Sequence, residues 1–595
     1  LNMIISYNWL KEYVPTLPDA KALADVFMYH LCEVESIQER GGDTIFDLNI
    51  LPNRAHDLLS HQGIARELAG QLGISFKDPT VLYKTPISKE TALSVVLHTK
   101  ECRRYTARII RNVKVQPSPQ WMATHLQSIG ARSINNVVDA TNIVLFDCGQ
   151  PCHAFDAKKL SNESITVRMA KKDEAMTTLD GKAISFLETD MVIADDDGVL
   201  AIAGVKGGTK AEVDTNTVDI ILEVANFAPV GVRKTARRIG LLTDAAKRFE
   251  NDLSPDLAIR AMQQLSALIA ELCPDAVFED IVDVYPAPQE YRQVSFSLSR
   301  VNTVLGATIT SEDVEAILRS YGFIFSRVGE SFSVDVPPLR LDLVGEHDMI
   351  EEIGRIYGYE KIIPVLPDSK TPVEQNEIVQ RIHAARRELV EDGYKEVYTY
   401  TFTKKGDIQV AYGAKGKEYI RTNLSEGLRS SYELNRQNAP LLGQREIKLF
   451  EIGAVFSTEG NEVINVAYAD NDGVVEESLA TFTEGMDLSL EDIPVSLSTE
   501  KFVPWSVYPF VVRDIAVWSN EADRELLQSI VATFASEHCV RPPELFDSFE
   551  KEGRISIAYR FVFQAQDKTL TDDEVNTTMQ TLYNAIVQSG AFEIR

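Results

Sequence analysis

The C-terminal end of the chain constrains its fold most tightly. Residues 511–518 read as a strand, 522–536 as a helix, and 544–549 and 554–564 as two more strands. Residues 571–588 then carry a helical pattern, entered through Thr571 with Glu574 at capping-box spacing, and 592–595 read as a last strand. The order βαββαβ predicts a ferredoxin-like fold. Such a fold hosts many functions and assigns none by itself.

The whole chain of 595 residues is long enough for several cores, about four by length. It has no apolar run of roughly 18 residues and no basic-then-apolar opening, so the expectation is a cytoplasmic chain without membrane spans. Six cysteines are too sparse for a disulfide framework, and reduced thiols are expected. The net charge of −28 argues that most of the surface avoids nucleic acid. Two segments run against that balance: Arg103, Arg104, Arg108, Arg111 and Lys114, and then Arg233, Lys234, Arg237, Arg238, Lys247 and Arg248. Each is either an RNA-facing patch or a solvated helix face.

Residues 3–14 predict a strand, a turn and the start of a helix; 19–31 predict a helix; 46–73 predict strand, Pro-Asn turn and amphipathic helix. The stretch 141–156, TNIVLFDCGQPCHAFD, holds an apolar run at 143–146, which reads as a strand. Polar Thr141 and Asn142 flank that run on one side, and a Gly-Gln-Pro turn feeds His153 on the other. Cys148, Cys152 and His153 are close enough to suggest zinc, but no second ligand pair follows, and packing thiols are the simpler reading. Downstream, AIAGVKGG (201–208) lacks the Lys-Ser/Thr ending of a phosphate loop, so its glycines are expected to let backbone approach a ligand.

The stretch 141–156, AIAGVKGG and IILEVANF (220–227), three separated motifs in this order, resemble the editing domain of the bacterial-type phenylalanyl-tRNA synthetase beta subunit. The resemblance implies an α+β multidomain chain: an N-terminal domain at 1–80, an editing domain at 81–290, and a small helical, winged-type domain at 291–366. A class II synthetase-like antiparallel core at 367–500 and a ferredoxin-like anticodon-binding domain at 501–595 complete it. The family usually inserts an oligonucleotide-binding barrel in the N-terminal region, and here only a few residues around Arg40, Gly41 and Gly42 are left for it. The resemblance further implies an alpha subunit that charges tRNA(Phe) with phenylalanine using ATP, in an (αβ)₂ heterotetramer. This chain would then hydrolyse tyrosyl-tRNA(Phe).

An apolar pocket rejects an analogue with one added hydroxyl by only about a hundredfold, which makes a second, editing site useful. By motif position Glu223 is the partner of the tyrosine phenol, expected to be ionised and acceptor-only. Thr141, Asn142, Gly204 and His153 carry over as pocket residues holding the amino acid, the terminal adenosine or an attacking water. No nucleophilic triad is expected, because a positioned water can cleave an activated ester. The rival readings are a free-standing deacylase and a structural tRNA-binding scaffold with a decayed site.

Further along, Thr310 and Asp313 are spaced as a capping box. If 346–357 is helical, Asp348, Glu351 and Glu352 share a face, with Asp342 on an incoming strand. Spacing leaves two readings, salt bridges to Arg340, Arg355 and Lys361 or a magnesium ion; the resemblance implies Mg²⁺ at Asp342, Asp348, Glu351 and Glu352. In the core, 375–392 predicts a long helix and 396–402 a strand. No Gly-x-Gly-x-x-Arg pattern follows Gly453, so this core is expected to be silent in aminoacylation and to pack on the alpha subunit. At the C-terminus, YPFVVRDIAVW (508–518) resembles the family's anticodon-binding domain, with Arg513, Arg541, Arg554 and Arg560 as RNA candidates.

Overall fold

The structure, a computed structural model, describes residues 1–367, 376–490, 504–534, 538–551 and 553–595. The chain divides into two compact units, Leu1–Leu366 and Pro367–Arg595. It is an α+β protein throughout, and among the described residues no helix is long and apolar enough to cross a membrane.

Unit one opens with β1 (Asn2–Ser6), α1 (Tyr7–Tyr13) and α2 (Ala20–His30), as the sequence predicts. Ser6 starts α1 by accepting a hydrogen bond from the Trp9 amide at 3.0 Å. Strands β2 (Glu33–Arg40) and β3 (Asp43–Asn49) pair antiparallel with only Gly41 and Gly42 between them, both at positive φ. That tight turn is where the barrel insertion would stand. The helix α3 (His61–Leu72) follows.

The next layer is built from two sheets. One runs through β4 (Ser94–Leu97), then β7 (Ser164–Met169), β8 (Met191–Asp195), β9 (Gly198–Ile202) and β10 (Lys206–Gly207). The other places β11 (Ile220–Phe227) between β5 (Cys102–Arg111) and β6 (Cys152–Asp156), with β12 (Val277–Phe278) and β13 (Val282–Val284) on the far side of β5. Alternation along β11 sends Ile221, Ala225 and Phe227 into a core shared with the first sheet. Ile220, Leu222 and Val224 point to the reverse face.

On that reverse face lie α4 (Asn136–Cys148) and α6 (Asp256–Leu272), while α5 (Pro229–Ile239) follows β11. The helix α4 overturns the strand expected at 143–146. Its β-branched run is only the last part of a helical stripe, Val137, Ala140 and Val144, that faces α6 residues in one cluster. Asn135 caps its start by accepting from Val137 and Val138, and Gly149 at φ 85° ends it, so caps and packing outweigh the local β preference.

A smaller three-stranded sheet, β14 (Arg292–Ser297), β15 (Ile324–Val328) and β16 (Ser331–Val336), carries α7 (Ser311–Ser320) and α8 (Glu346–Tyr357). The Thr310–Asp313 capping box forms as expected.

Unit two begins with α9 (Glu377–Glu391); Gln375, where that helix was expected to start, lies outside the described residues. The strand expected over 396–402 is broken: β17 (Lys395–Glu396) pairs parallel with β18 (Leu449–Phe456), and Phe402–Thr403 joins a separate small sheet. The residues between carry no ladder, because Thr399 turns instead to Glu451 through its amide and hydroxyl. Beyond β18, the sheet continues antiparallel through β19 (Glu462–Asp470) and β20 (Gly473–Ser478), against α10 (Ser425–Leu442).

The last segment holds β21 (Val511–Ser519), α11 (Arg524–Thr533), β22 (Glu544–Lys551), β23 (Arg554–Phe563), α12 (Asp572–Gln588) and β24 (Glu593–Ile594). Sheet order β22-β23-β21-β24 is the ferredoxin-like arrangement, and the Thr571–Glu574 capping box is present. Ser536, the expected end of α11, lies outside the described residues.

Candidate functional site

Glu223 sits in the middle of β11, directly opposite His153 on β6 and Ala107 on β5. It is 6% exposed, and among the described residues neither Glu223 nor His153 has a side-chain hydrogen-bond partner. Burial alone pushes the Glu223 carboxyl up from 4.5 to about 8 and the His153 imidazole down from 6.5 to about 4. Near neutrality both are uncharged. This corrects the expectation of an ionised Glu223: its surroundings supply no cation to hold a charge, so it is an acid with one O–H to give and oxygen lone pairs to accept with.

The His153 ring packs edge-on to Phe155 at 4.7 Å and lies against Gly207. A Cβ on Gly207 would stand 2.6 Å from His153 Cε1, so any side chain there would have to displace the imidazole. Gly204, the glycine expected in the pocket, instead bends the chain at φ 72° and backs onto Val232 and Phe249. In the same glycine-rich segment it is Gly207 that comes close to a site side chain, the His153 ring. Thr141 and Asn142 lie on α4, whose apolar stripe covers the reverse face of this sheet, and the Thr141 hydroxyl donates to the Val138 carbonyl within its own helix.

The cysteines near His153 are packed thiols. Cys148 Sγ bonds to the Val144 carbonyl at 3.3 Å and Cys152 Sγ to the Gln150 carbonyl at 3.4 Å, and burial pushes the Cys148 thiol up to about 12.

The carboxylates expected to bind magnesium line one cleft of about 280 Å³, but they are already answered by protein cations. Asp342, in a turn rather than on a strand, takes a two-pronged contact from Arg340 at 2.7 and 2.9 Å and a third from His56 at 3.1 Å. Glu352 is held by Arg340 at 2.8 Å and Arg355 at 3.0 Å, with Arg54 at 3.7 Å. Arg54 also reaches Glu67 at 2.8 Å, and Arg355 reaches Glu67 at 2.6 Å. Burial pushes the Asp342 carboxyl up, but the bonds from Arg340 and His56 and the Arg54 charge outweigh it and hold it far below the usual range. Asp348 accepts from the Val344 and Gly345 amides at the start of α8, both at 2.8 Å, and Glu351 stays exposed. Among the described residues no three His, Cys, Asp or Glu side chains are disposed to hold a metal ion. Of the two readings that spacing left, salt bridges account for Asp342 and Glu352, through Arg340 and Arg355 with Arg54 added from the N-terminal region, but not for Asp348 or Glu351, and Lys361 takes no part among the described residues.

The two basic segments part company. Arg103, Arg104, Arg108 and Arg111 lie on β5 and turn inward: Arg104 bonds Asp283 at 2.7 Å, Arg111 bonds Glu279 at 2.7 Å, and Arg108 bonds the Glu279 carbonyl at 2.7 Å. Each is engaged by groups of this chain, which is a structural role. On α5, Arg233, Lys234, Arg237 and Arg238 are exposed; Arg238 pairs with buried Asp190, while Arg233 and Lys234 have no ion-pair partner among the described residues. Arg248, by contrast, is buried against Phe146 and bonds the Leu59 carbonyl.

At the C-terminal sheet, Ile515, Val517, Ile557 and Phe561 face α11 and α12, so Trp518, Ser556 and Arg560 face away from them. On that open face Trp518 meets Phe549 edge to face at 5.6 Å, Arg595 lies 4.8 Å over Phe549, and Arg560 lies 3.6 Å over Phe546. Arg513, Arg541, Arg554 and Arg560 each pair with a carboxylate, so the sequence candidates are largely neutralised. The aromatic residues, which spacing could have flagged by their alternation with Val517 and Ser548, are the feature it missed.

Four families match this chain in order: "B3/4 domain" at residues 101–274, "tRNA synthetase B5 domain" at 294–359, "Phenylalanyl tRNA synthetase beta chain CLM domain" at 362–477, and "Ferredoxin-fold anticodon binding domain" at 506–595. Two of the four are tRNA synthetase modules by description. The phenylalanine-tRNA ligase beta subunit of Geobacter sulfurreducens is 31% identical over 93% of this chain and 81% of its own length. That of Streptococcus agalactiae is 31% identical over 93% and 80%, and that of Syntrophus aciditrophicus 36% identical over 75% and 56%. This chain belongs to the phenylalanine-tRNA ligase beta subunit family.

Proposed function

We propose that this chain works with a catalytic alpha subunit in an (αβ)₂ phenylalanine-tRNA ligase of the cytoplasm, binding tRNA(Phe) and hydrolysing tyrosyl-tRNA(Phe). The observation that carries the editing role is the cross-strand pair of buried Glu223 and half-buried His153, both uncharged and without hydrogen-bond partners among the described residues, with Gly207 pressed against the imidazole. A neutral carboxyl gives and takes a hydrogen bond at once, which suits a phenol hydroxyl and leaves phenylalanine nothing to bind. The neutral imidazole has a lone pair that accepts a hydrogen bond from an attacking water. Thr141, Asn142 and Gly204 stay in the reading as groups around the amino acid or the terminal adenosine.

Residues 81–290 would then be the editing domain, 291–366 the small domain, 367–500 a silent class II-like core against the alpha subunit, and 501–595 the anticodon domain, with 1–80 in front. The exposed Arg233 and Lys234 offer phosphate contacts, and Trp518, Phe546 and Phe549 offer ring faces on which unpaired bases stack. Any magnesium shared with the alpha subunit would have to rely on Glu351 and the outer oxygen of Asp348, with donors from that subunit.

The test is hydrolysis of tyrosyl-tRNA(Phe) by the chain co-expressed with its alpha subunit, wild type against Glu223→Ala, with phenylalanyl-tRNA(Phe) as control. Tyrosine-selective hydrolysis that the substitution abolishes is expected. A complex that aminoacylates but hydrolyses tyrosyl-tRNA no faster than buffer leaves a tRNA-binding scaffold.

A further inference from the structure

The block of β5 and β11 around Glu223 has an unusual composition. Glu223 stands opposite Ala107, and Ala225 stands opposite Tyr105, so two methyl groups occupy one diagonal and two polar side chains the other. Diagonal neighbours in an antiparallel pair are about 7–8 Å apart, within reach of an aromatic side chain. Tyr105 is fully buried, and its hydroxyl has no hydrogen-bond partner. A buried hydroxyl left unpaired costs about 1–3 kcal/mol, so a chain that keeps one has either a functional use for it or a strained spot. Phenylalanine would fill the same space without that cost. On this sheet face Glu223 stands on the diagonal from Tyr105, and His153 one strand further.

We propose that Tyr105 is a second specificity-determining residue beside Glu223: its hydroxyl donates a hydrogen bond to the phenol oxygen of the bound tyrosyl group, while that phenol donates to Glu223. The inference rests on the editing reading and deepens it. The Tyr105 hydroxyl and the Glu223 carboxyl do not bond each other, and one ligand hydroxyl would satisfy both. A phenylalanyl group would leave both unsatisfied, the situation in which polar sites discriminate most strongly. Tyr105 touches the ring hydroxyl and not the ester, so it sets which amino acid is accepted and takes no part in the cleavage.

The experiment compares wild type with Tyr105→Phe in the holoenzyme, measuring hydrolysis of tyrosyl-tRNA(Phe) and phenylalanyl-tRNA(Phe) together with thermal unfolding. The expected result is a loss of about tenfold on the tyrosyl ester. Hydrolysis of the phenylalanyl ester stays unchanged, and the unfolding temperature stays the same or rises, because the hydroxyl removed had no partner. An unchanged tyrosyl rate, with active wild type, overturns the role of Tyr105 and leaves the editing reading standing. So does an equal loss on both esters, or a fall in stability, either of which marks an internal structural role. Inactive wild type overturns the editing reading itself and this inference with it.

Discussion

Two buried polar clusters in the N-terminal unit are built on opposite rules. In the cluster of Arg54, Glu67, Arg340, Asp342, Glu352 and Arg355, each charge meets two or more opposite charges, at side-chain exposures of 5–12%. In the block of Tyr105, His153 and Glu223, charge is removed by protonation state and hydrogen-bonding capacity is left unused. A closed network holds parts of the fold together and has nothing left for a ligand. An open one is less stable alone and gains when a molecule supplies the missing partners.

The largest expected effect tests the closed cluster. Arg54→Ala strands Asp57, Glu67 and Glu352 short of a counter-charge and should cost about 3–5 kcal/mol in denaturant unfolding. A loss below about 1 kcal/mol would class the cluster with surface ion pairs and end the contrast.

The pH dependence has opposite sign in the two clusters. Asp342 and Glu67 are held below the ordinary carboxylate range, so the stability they contribute is present above that range and is lost as pH falls through their lowered values. Glu223 is raised, so its contribution is complete below 4.5 and is lost as pH rises through about 8. Glu223→Gln removes that loss and should leave the protein more stable than wild type at pH 8, by about 2–4 kcal/mol, with little difference near pH 4. Unfolding curves at the two pH values decide it; equal curves at pH 8 would mean the carboxyl already ionises there with a partner.

The smallest expected effect sharpens the open site. Gly207→Ala forces the His153 ring out of its present position, at a cost of about 1–3 kcal/mol and a loss of about tenfold in tyrosyl-tRNA hydrolysis. Full activity in this variant would show that the position of the imidazole does not matter.

Much of this was legible in the sequence. The ferredoxin-like order, the capping boxes at Thr310 and Thr571 and the helix at 346–357 are all local patterns, and all form. The run 143–146 misled because four consecutive apolar residues read as a short strand, while the caps at Asn135 and Gly149 act over thirteen. Arg103 to Arg111 read as a possible RNA face because spacing along a strand does not reveal that Glu279, Asp283 and Asp256 return to meet them. Among the site residues, Glu223 and His153 were placed by motif, whereas Gly207 and Tyr105 needed the register.

The sequence by itself determined the elements and their order, because caps, glycines and hydrophobic periods act within a few residues of where they are written. Only the tertiary structure decided which charges are paired and which are extinguished. Asp342 and Glu223 are both carboxyls of the N-terminal unit. One is ionised because Arg54 and Arg340 are brought to it from separate parts of the chain, and the other is neutral because strands β5 and β6 enclose it and bring no cation. Desolvation and Coulomb energy depend on distance in space, and that distance exists only once the chain has folded.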